Sequence, residues 1–156
     1  MEKVRIEEVE ARASGPAEIK RPLTAALGAT GLAVNYYELA PGDSFAFGYH
    51  AHSDQEEVFY VQSGTVTFET EDTPVEVGPG ELVRFAPGEY QRGVNEADRR
   101  AVALALGAPK ESGDLDLRRE CPDCGERTSN SIQRAEERDV LVTICEDCGA
   151  ETGRFD

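Results

Sequence analysis

The sequence predicts an all-β chain, an antiparallel sandwich or barrel followed by a small metal-stapled appendage. Three observations carry that prediction. Short strand-like segments recur at even spacing with no helical periodicity between them, Gly and Pro turn signals separate them, and every cysteine lies beyond residue 120 in two C-x-x-C-G units.

The candidate strands are LAVNYYEL (32–39), SFAFGYHAH (44–52), EVFYVQ (57–62), TVTFET (65–70), PVEV (74–77), LVRFA (82–86) and AVALAL (101–106), all rich in β-branched and aromatic residues. Turns are marked by Pro41-Gly42, Ser63-Gly64, Gly78-Pro79-Gly80 and Pro87-Gly88. Residues 1–30 read as an arm packed on the barrel, with KVRIEEV compatible with a strand and RPLTAALGATG with a short helical turn ended by glycine. The barrel is expected over 31–106. The polar, Gly- and Pro-containing GAPKESGD (107–114) reads as a flexible linker to a cysteine-bearing segment, 115–156.

Composition narrows the function classes. With 31 acidic against 16 basic residues the net charge is -15, and Lys3, Lys20 and Lys110 are the only lysines. A lysine-poor acidic surface suits a cytoplasm of high salt, so a halophilic source is expected. No basic stripe exists to neutralise phosphates, which argues against nucleic acid. No apolar run reaches the ~18 residues of a membrane span, and Met1-Glu2-Lys3 is no secretory n-region, so a cytoplasmic location is expected.

Cys121-Pro122-Asp123-Cys124-Gly125 and Cys145-Glu146-Asp147-Cys148-Gly149 are spaced for one tetrahedral Zn2+ held by four thiolates. The glycine after each pair supplies a positive φ. Disulfides are the competing reading, disfavoured in a reducing cytosol. A thioredoxin-type redox pair would need a βαβ context that is missing. The segment resembles a zinc ribbon, with VLVTIC (140–145) as the strand entering the second knuckle. So small a piece needs the metal to fold. Residues 115–156 carry 11 acidic residues and 6 arginines, which suits a structural or protein-contact module better than a nucleic-acid reader. Four cysteine ligands leave no open coordination position, so no catalysis is assigned to it.

His50 and His52, the only histidines, are two residues apart and share a face if the segment is a strand. Across the turn SDQE, Glu57 can meet both imidazoles if the strands form a hairpin. Two histidines and one carboxylate suit Fe, Mn, Ni, Zn or Cu. Tyr49 turns away from His50 by parity and reads as outer packing. Tyr90 adjoins the same region in sequence, and Arg84 and Arg92 read as solvated surface charges.

Gly42, His50-Ala51-His52, Glu57 and Gly64 follow the order of the first cupin motif, and Gly80, Ala86-Pro87-Gly88 and Asn95 that of the second. On these residues the chain resembles the cupin superfamily over about 31–106. The spacer from Gly42 to His50 is longer than usual, implying a bulge or a longer strand. The resemblance implies a double-stranded β-barrel (jelly roll), a homodimer, and a metal held in its cavity by His50, His52 and Glu57. Glu57 rather than Glu56 keeps the motif spacing to Gly64, and parity agrees by placing Glu57, Phe59 and Val61 on one face. Where the family has a fourth ligand histidine this chain has Gln91. A glutamine carbonyl can be a weak neutral ligand or bind a metal-bound water, and the substitution is equally compatible with a site that has lost its metal.

Two functions follow as expectations. One is a metal-dependent enzyme acting on a small polar metabolite by dioxygenation or isomerisation. The other is a small-ligand-binding or regulatory module whose ribbon docks a protein partner.

Overall fold

A computed structural model of the chain describes residues 1–136 and 139–156. Its strands are β1 (Ile19–Pro22), β2 (Ala33–Leu39), β3 (Tyr49–His52), β4 (Glu56–Ser63), β5 (Val66–Thr70), β6 (Val75–Val77), β7 (Leu82–Phe85), β8 (Gln91–Val94), β9 (Ala101–Ala108), β10 (Leu115–Cys121), β11 (Glu126–Arg134), β12 (Leu141–Cys145) and β13 (Glu151–Phe155). They form an antiparallel five-stranded sheet, β1-β2-β9-β4-β7, facing an eight-stranded one, β13-β12-β11-β10-β3-β8-β5-β6. The fold is a jelly roll, all-β as expected.

Alternation along the strands builds the core. β9 alternates buried and half-buried residues from Ala101 to Gly107, and its small inward alanines leave room for an aromatic cluster between the two sheets, with Phe59 and Phe85 from its own sheet and Phe68 from the facing one. Phe45 and Phe59 lie 4.8 Å apart between ring centres, Phe59 and Phe68 5.0 Å, and Phe68 and Phe85 5.3 Å. Offset and edge contacts at these distances add to the burial of apolar area. Beside this cluster lies the cavity described below.

Several elements differ from the sequence expectation. KVRIEEV forms a short 3-10 turn at Ile6–Glu8 rather than a strand, because its residues alternate against no partner strand. RPLTAALGATG does hold one helical turn, Leu27 N–H donating to Leu23 C=O at 3.0 Å, closed by Gly28 at φ 63°. The strand expected over 44–52 is regular only from Tyr49. Residues 45–48 bend, which absorbs the longer spacer between Gly42 and His50.

Across 107–114 the chain passes from the five-stranded sheet, which holds β9, to the eight-stranded one, which holds β10 beside β3. Gly107 and Ala108 belong to β9, and β10 pairs with β3, Leu115 opposite His52 and Leu117 opposite His50. The connection itself is tied down: Gln55 Nε2 donates to Pro109 C=O at 2.7 Å, and Ser53 exchanges hydrogen bonds with Asp114 at 2.8 and 2.9 Å. Polar, Gly-rich composition reads as a linker in sequence, yet here its backbone groups are satisfied by side chains and strand ends of the barrel.

Two glycines separate conformational from steric demand. Gly64 has φ 72°, and a Cβ there would lie 2.6 Å from Arg100 O and 2.7 Å from Ala101 Cα. Gly42 has φ 89° but open space around it. Gly64→Ala should therefore lose about 2–4 kcal/mol in urea unfolding, and Gly42→Ala only about 1–2 kcal/mol, from backbone strain alone.

Candidate metal centre and cavity

β3 and β4 bring the motif residues together. Parity puts His50 and His52 on the inner side of β3, and Glu57 on the side of β4 that also carries buried Phe59 and Val61. His50 Nε2 is 3.6 Å from Glu57 Oε2, and His52 Nε2 is 3.7 Å from Glu57 Oε1. One ligand atom from each of the three lies within 4.8 Å of the others. Gly48 C=O accepts from His50 Nδ1 at 3.0 Å, which turns Nε2 toward the cluster. With metal–ligand bonds of ~2.1 Å, donors about 90–110° apart stand ~3.0–3.4 Å from each other. The two histidine–Glu57 separations exceed this by a few tenths of an ångström, and the donor types suit a divalent metal.

Gln91 joins them. It lies opposite His50 in the β3–β8 pair and is 2% exposed. Its Nε2 donates to Glu57 Oε2 at 2.9 Å and lies 3.3 Å from His50 Nε2. Gln91 Oε1 and His52 Nδ1 are buried without a hydrogen-bond partner. Burial pushes the Glu57 carboxyl upward, but hydrogen bonds and charge from His50 and His52 outweigh it and hold the group at about 2.

The cluster lines a cavity of about 230 Å³ together with Lys20, Tyr37, Phe45 and Gln55. Lys20 is the functional candidate that the sequence reading missed. β1 pairs it with Tyr37 of β2, and its Nζ sits 5.1 Å from the centre of the Tyr37 ring. Burial pulls its amine down, the like charge of Arg12 adds to this, and Glu57 partly offsets both, leaving it at about 8. The only available signal was scarcity: it is one of three lysines, in a four-residue strand too short and polar to be recognised.

The other motif residues have structural roles. Asn95 is fully buried and donates from Nδ2 to Leu39 C=O at 2.9 Å and Arg99 C=O at 2.7 Å. Glu56 faces outward to Arg84 at 2.5 Å. Tyr49 stacks on Tyr90 at 5.2 Å, outside the barrel, and Tyr90 donates to Asp116. Arg92, one residue past inward Gln91, does not line the cavity.

Cys121, Cys124, Cys145 and Cys148 form the second cluster. All four thiols are free, with their Sγ atoms within 4.8 Å of one another. Cys121 and Cys148 Sγ are 3.5 Å apart and Cys124 and Cys145 3.9 Å, against ~3.8 Å between sulfurs at tetrahedral angles with metal–sulfur bonds of ~2.3 Å. Gly125 and Gly149 take positive φ, 73° and 79°, and donate their N–H groups to Cys121 and Cys145 C=O at 2.9 Å. Thr128 Oγ1, 3.1 Å from Cys145 Sγ, is the main cause holding that thiol down at about 6.

Residues 35–107 match the family model described as Cupin domain. Over these residues the chain is similar to cupin domains, and its fold is a cupin jelly roll. It is similar to a sugar phosphate isomerase of the cupin superfamily from Silicibacter pomeroyi DSS-3, with 20% identity, 96% of this chain and 91% of that one covered, and a TM-score of 0.62. It is similar to the polyketide cyclase RemF from Streptomyces resistomycificus, with 25% identity, 79% and 89% covered, and a TM-score of 0.64. A protein of Thermus thermophilus aligns with 25% identity over 71% of this chain and 100% of its own, at a TM-score of 0.56. No curated protein matches the chain.

Two outcomes are expected at this site. The Lys20 Cε resonance should titrate near pH 8 by 13C NMR, and Glu57→Gln should move its midpoint lower still, since the carboxylate favours the charged amine. Gln91→His should raise metal retention during dialysis against a chelator about tenfold or more, by replacing an amide with an imidazole.

Proposed function

We propose that the chain is a metal-dependent cupin enzyme that isomerises or cyclises a small carbonyl compound through enolate-like chemistry, with a structural Zn2+ at the four cysteines. The observation that carries this reading is the convergence of His50, His52, Glu57 and the Lys20 amine on one cavity. A divalent metal held by His50, His52 and Glu57 would polarise a substrate carbonyl or hydroxyl. Lys20 holds a positive charge at Nζ on the same cavity, where it stabilises negative charge developing on the substrate. Tyr37 and Phe45 exclude water beside that amine, and the lowered affinity of Lys20 for its proton is the mark of this dry setting. The activities named for the Silicibacter pomeroyi and Streptomyces resistomycificus proteins, isomerase and cyclase, belong to the same class of chemistry.

A second reading, a ligand-binding module without turnover, draws on Gln91, whose amide N–H groups point at the lone pairs a metal would need. Proton exchange separates the two. Phenylpyruvate and dihydroxyacetone in D2O, followed by 1H NMR with protein loaded with Mn, Ni, Zn or Fe(II), should lose their α-proton signals faster than buffer alone or His50→Ala. Elemental analysis should give two metals per chain, falling to one in His50→Ala. Exchange no faster than His50→Ala under every metal would leave the binding module as the surviving reading.

A further inference from the structure

The cavity continues past Lys20 into a second chamber of about 220 Å³ whose lining includes Arg12, Tyr37, Phe45, Phe47, Ile132 and Leu141. Lys20, Tyr37 and Phe45 line both chambers, so the two adjoin at these residues. We infer that this chamber is a subsite for an amphipathic anion, a ligand with an apolar body and a terminal carboxylate or phosphate that Arg12 and Lys20 hold. The inference rests on the reading of the cavity as the functional site.

Charge is the first argument. The chain has 31 acidic residues and a net charge of -15, yet among the described residues no Asp or Glu lines this chamber, and two of the few cations do. Among the described residues neither Arg12 nor Lys20 makes a salt bridge, whereas Arg84, Arg100, Arg118 and Arg127 are all paired with carboxylates. The backbone holds the two together, Arg12 N–H donating to Lys20 C=O at 2.8 Å. Two like charges brought to one concave wall without a counter-ion cost free energy that an anionic ligand would return. Burial is the main cause of the lowered Lys20 amine, and the like charge of Arg12 adds to it.

The wall is the second argument. Phe47, Ile132 and Leu141 come from three separate places in the chain, the bent stretch before β3, β11 and β12. Leu115 and Leu117 of β10 extend this apolar surface along the side that also carries His50, His52 and Glu57. Ile132 and Leu115 remain 37% and 44% exposed, large apolar side chains left open at the cavity rather than packed away. A sugar would gain little from such a wall. A hydrocarbon or aromatic body gains from burial on it, with its charged end at Arg12 and Lys20 and its reacting end toward the metal ligands.

The test is binding, which needs no turnover. Isothermal titration of the full chain with 4-phenylbutyrate, 2-phenylethyl phosphate, neutral 4-phenylbutanol and polar glycerol 3-phosphate separates charge from apolar contact, and carboxylate from phosphate. One or both aromatic anions should bind about tenfold or more tightly than either 4-phenylbutanol or glycerol 3-phosphate. Arg12→Gln, a surface change that leaves the core intact, should remove most of the preference over 4-phenylbutanol, and Lys20→Met should do the same. Equal binding of 4-phenylbutanol and both anions, or a preference that survives both substitutions, would overturn the inference. His50→Ala should retain the preference, so loss of metal or of exchange activity sinks the catalytic reading without touching this one, and the converse holds as well.

Discussion

The antiparallel ladder between β3 and β10 is the constraint on which the rest of the structure depends. β3 is only four residues long, carries both histidines, and has β8 on its other side through a single register pair. β10 supplies four register pairs to it, from Leu115 opposite His52 to Arg118 opposite Tyr49. A short strand so weakly tied on one side takes its position from the other. Gly48 shows how closely the two fit, since a Cβ there would come within 2.8 Å of Arg118 O. Its own carbonyl orients His50, so the close approach that demands glycine also positions the carbonyl that fixes an imidazole.

This joins the two clusters mechanically. Cys121 ends β10, and β11, β12 and β13 continue the same sheet outward from it. Arg119 reaches back from β10, donating from Nε to Thr152 C=O at 3.2 Å and from Nη1 to Phe47 C=O. Phe47 meets Phe155 edge-on at 4.9 Å. The bent stretch before β3 is thus braced by the strands that the four cysteines hold in place. A metal held by the four cysteines at the far end of β10 would stiffen the near end, because hydrogen-bonded strands transmit displacement along the ladder. The cysteine segment contributes to the barrel as a wall and a brace, a role different from that of a tethered appendage.

The histidine pair, Glu57 and the four cysteines were legible in the sequence because each rests on local spacing: period two on a strand, a hairpin turn, a knuckle of fixed length. The strands with alternating apolar residues were legible for the same reason. β8 was not, because Gln-Arg-Gly-Val has no strand pattern. Its glycine is required by long-range packing, as a Cβ at Gly93 would lie 2.6 Å from Phe45 and 2.7 Å from Phe68. β10 and β11 were hidden by polar composition, since much of their surface faces solvent. Lys20 was hidden because its setting is assembled from β1, β2, the N-terminal arm and the cluster, none of which its neighbours in sequence reveal.

Gln91 binds these threads together. Its amide N–H groups satisfy Glu57 and approach His50, while its carbonyl oxygen is buried with nothing to accept. A buried acceptor left unpaired costs ~1–3 kcal/mol. A half-turn of the amide exchanges these roles: it brings Oε1 to the place where Nε2 now stands, among the lone pairs of Glu57 and His50. Three acceptors converging without a hydrogen between them repel, unless a cation stands among them. In the first orientation the cluster is closed by its own hydrogen bonds, and in the second it would need a positive ion among its acceptors. A histidine at this position could not supply the closed state in the same way, because an imidazole offers one N–H per nitrogen where the amide nitrogen offers two. The substitution that looks like a lost ligand in sequence is, in the fold, a group that hydrogen-bonds to Glu57 and approaches His50 while its carbonyl oxygen stays unpaired beside them.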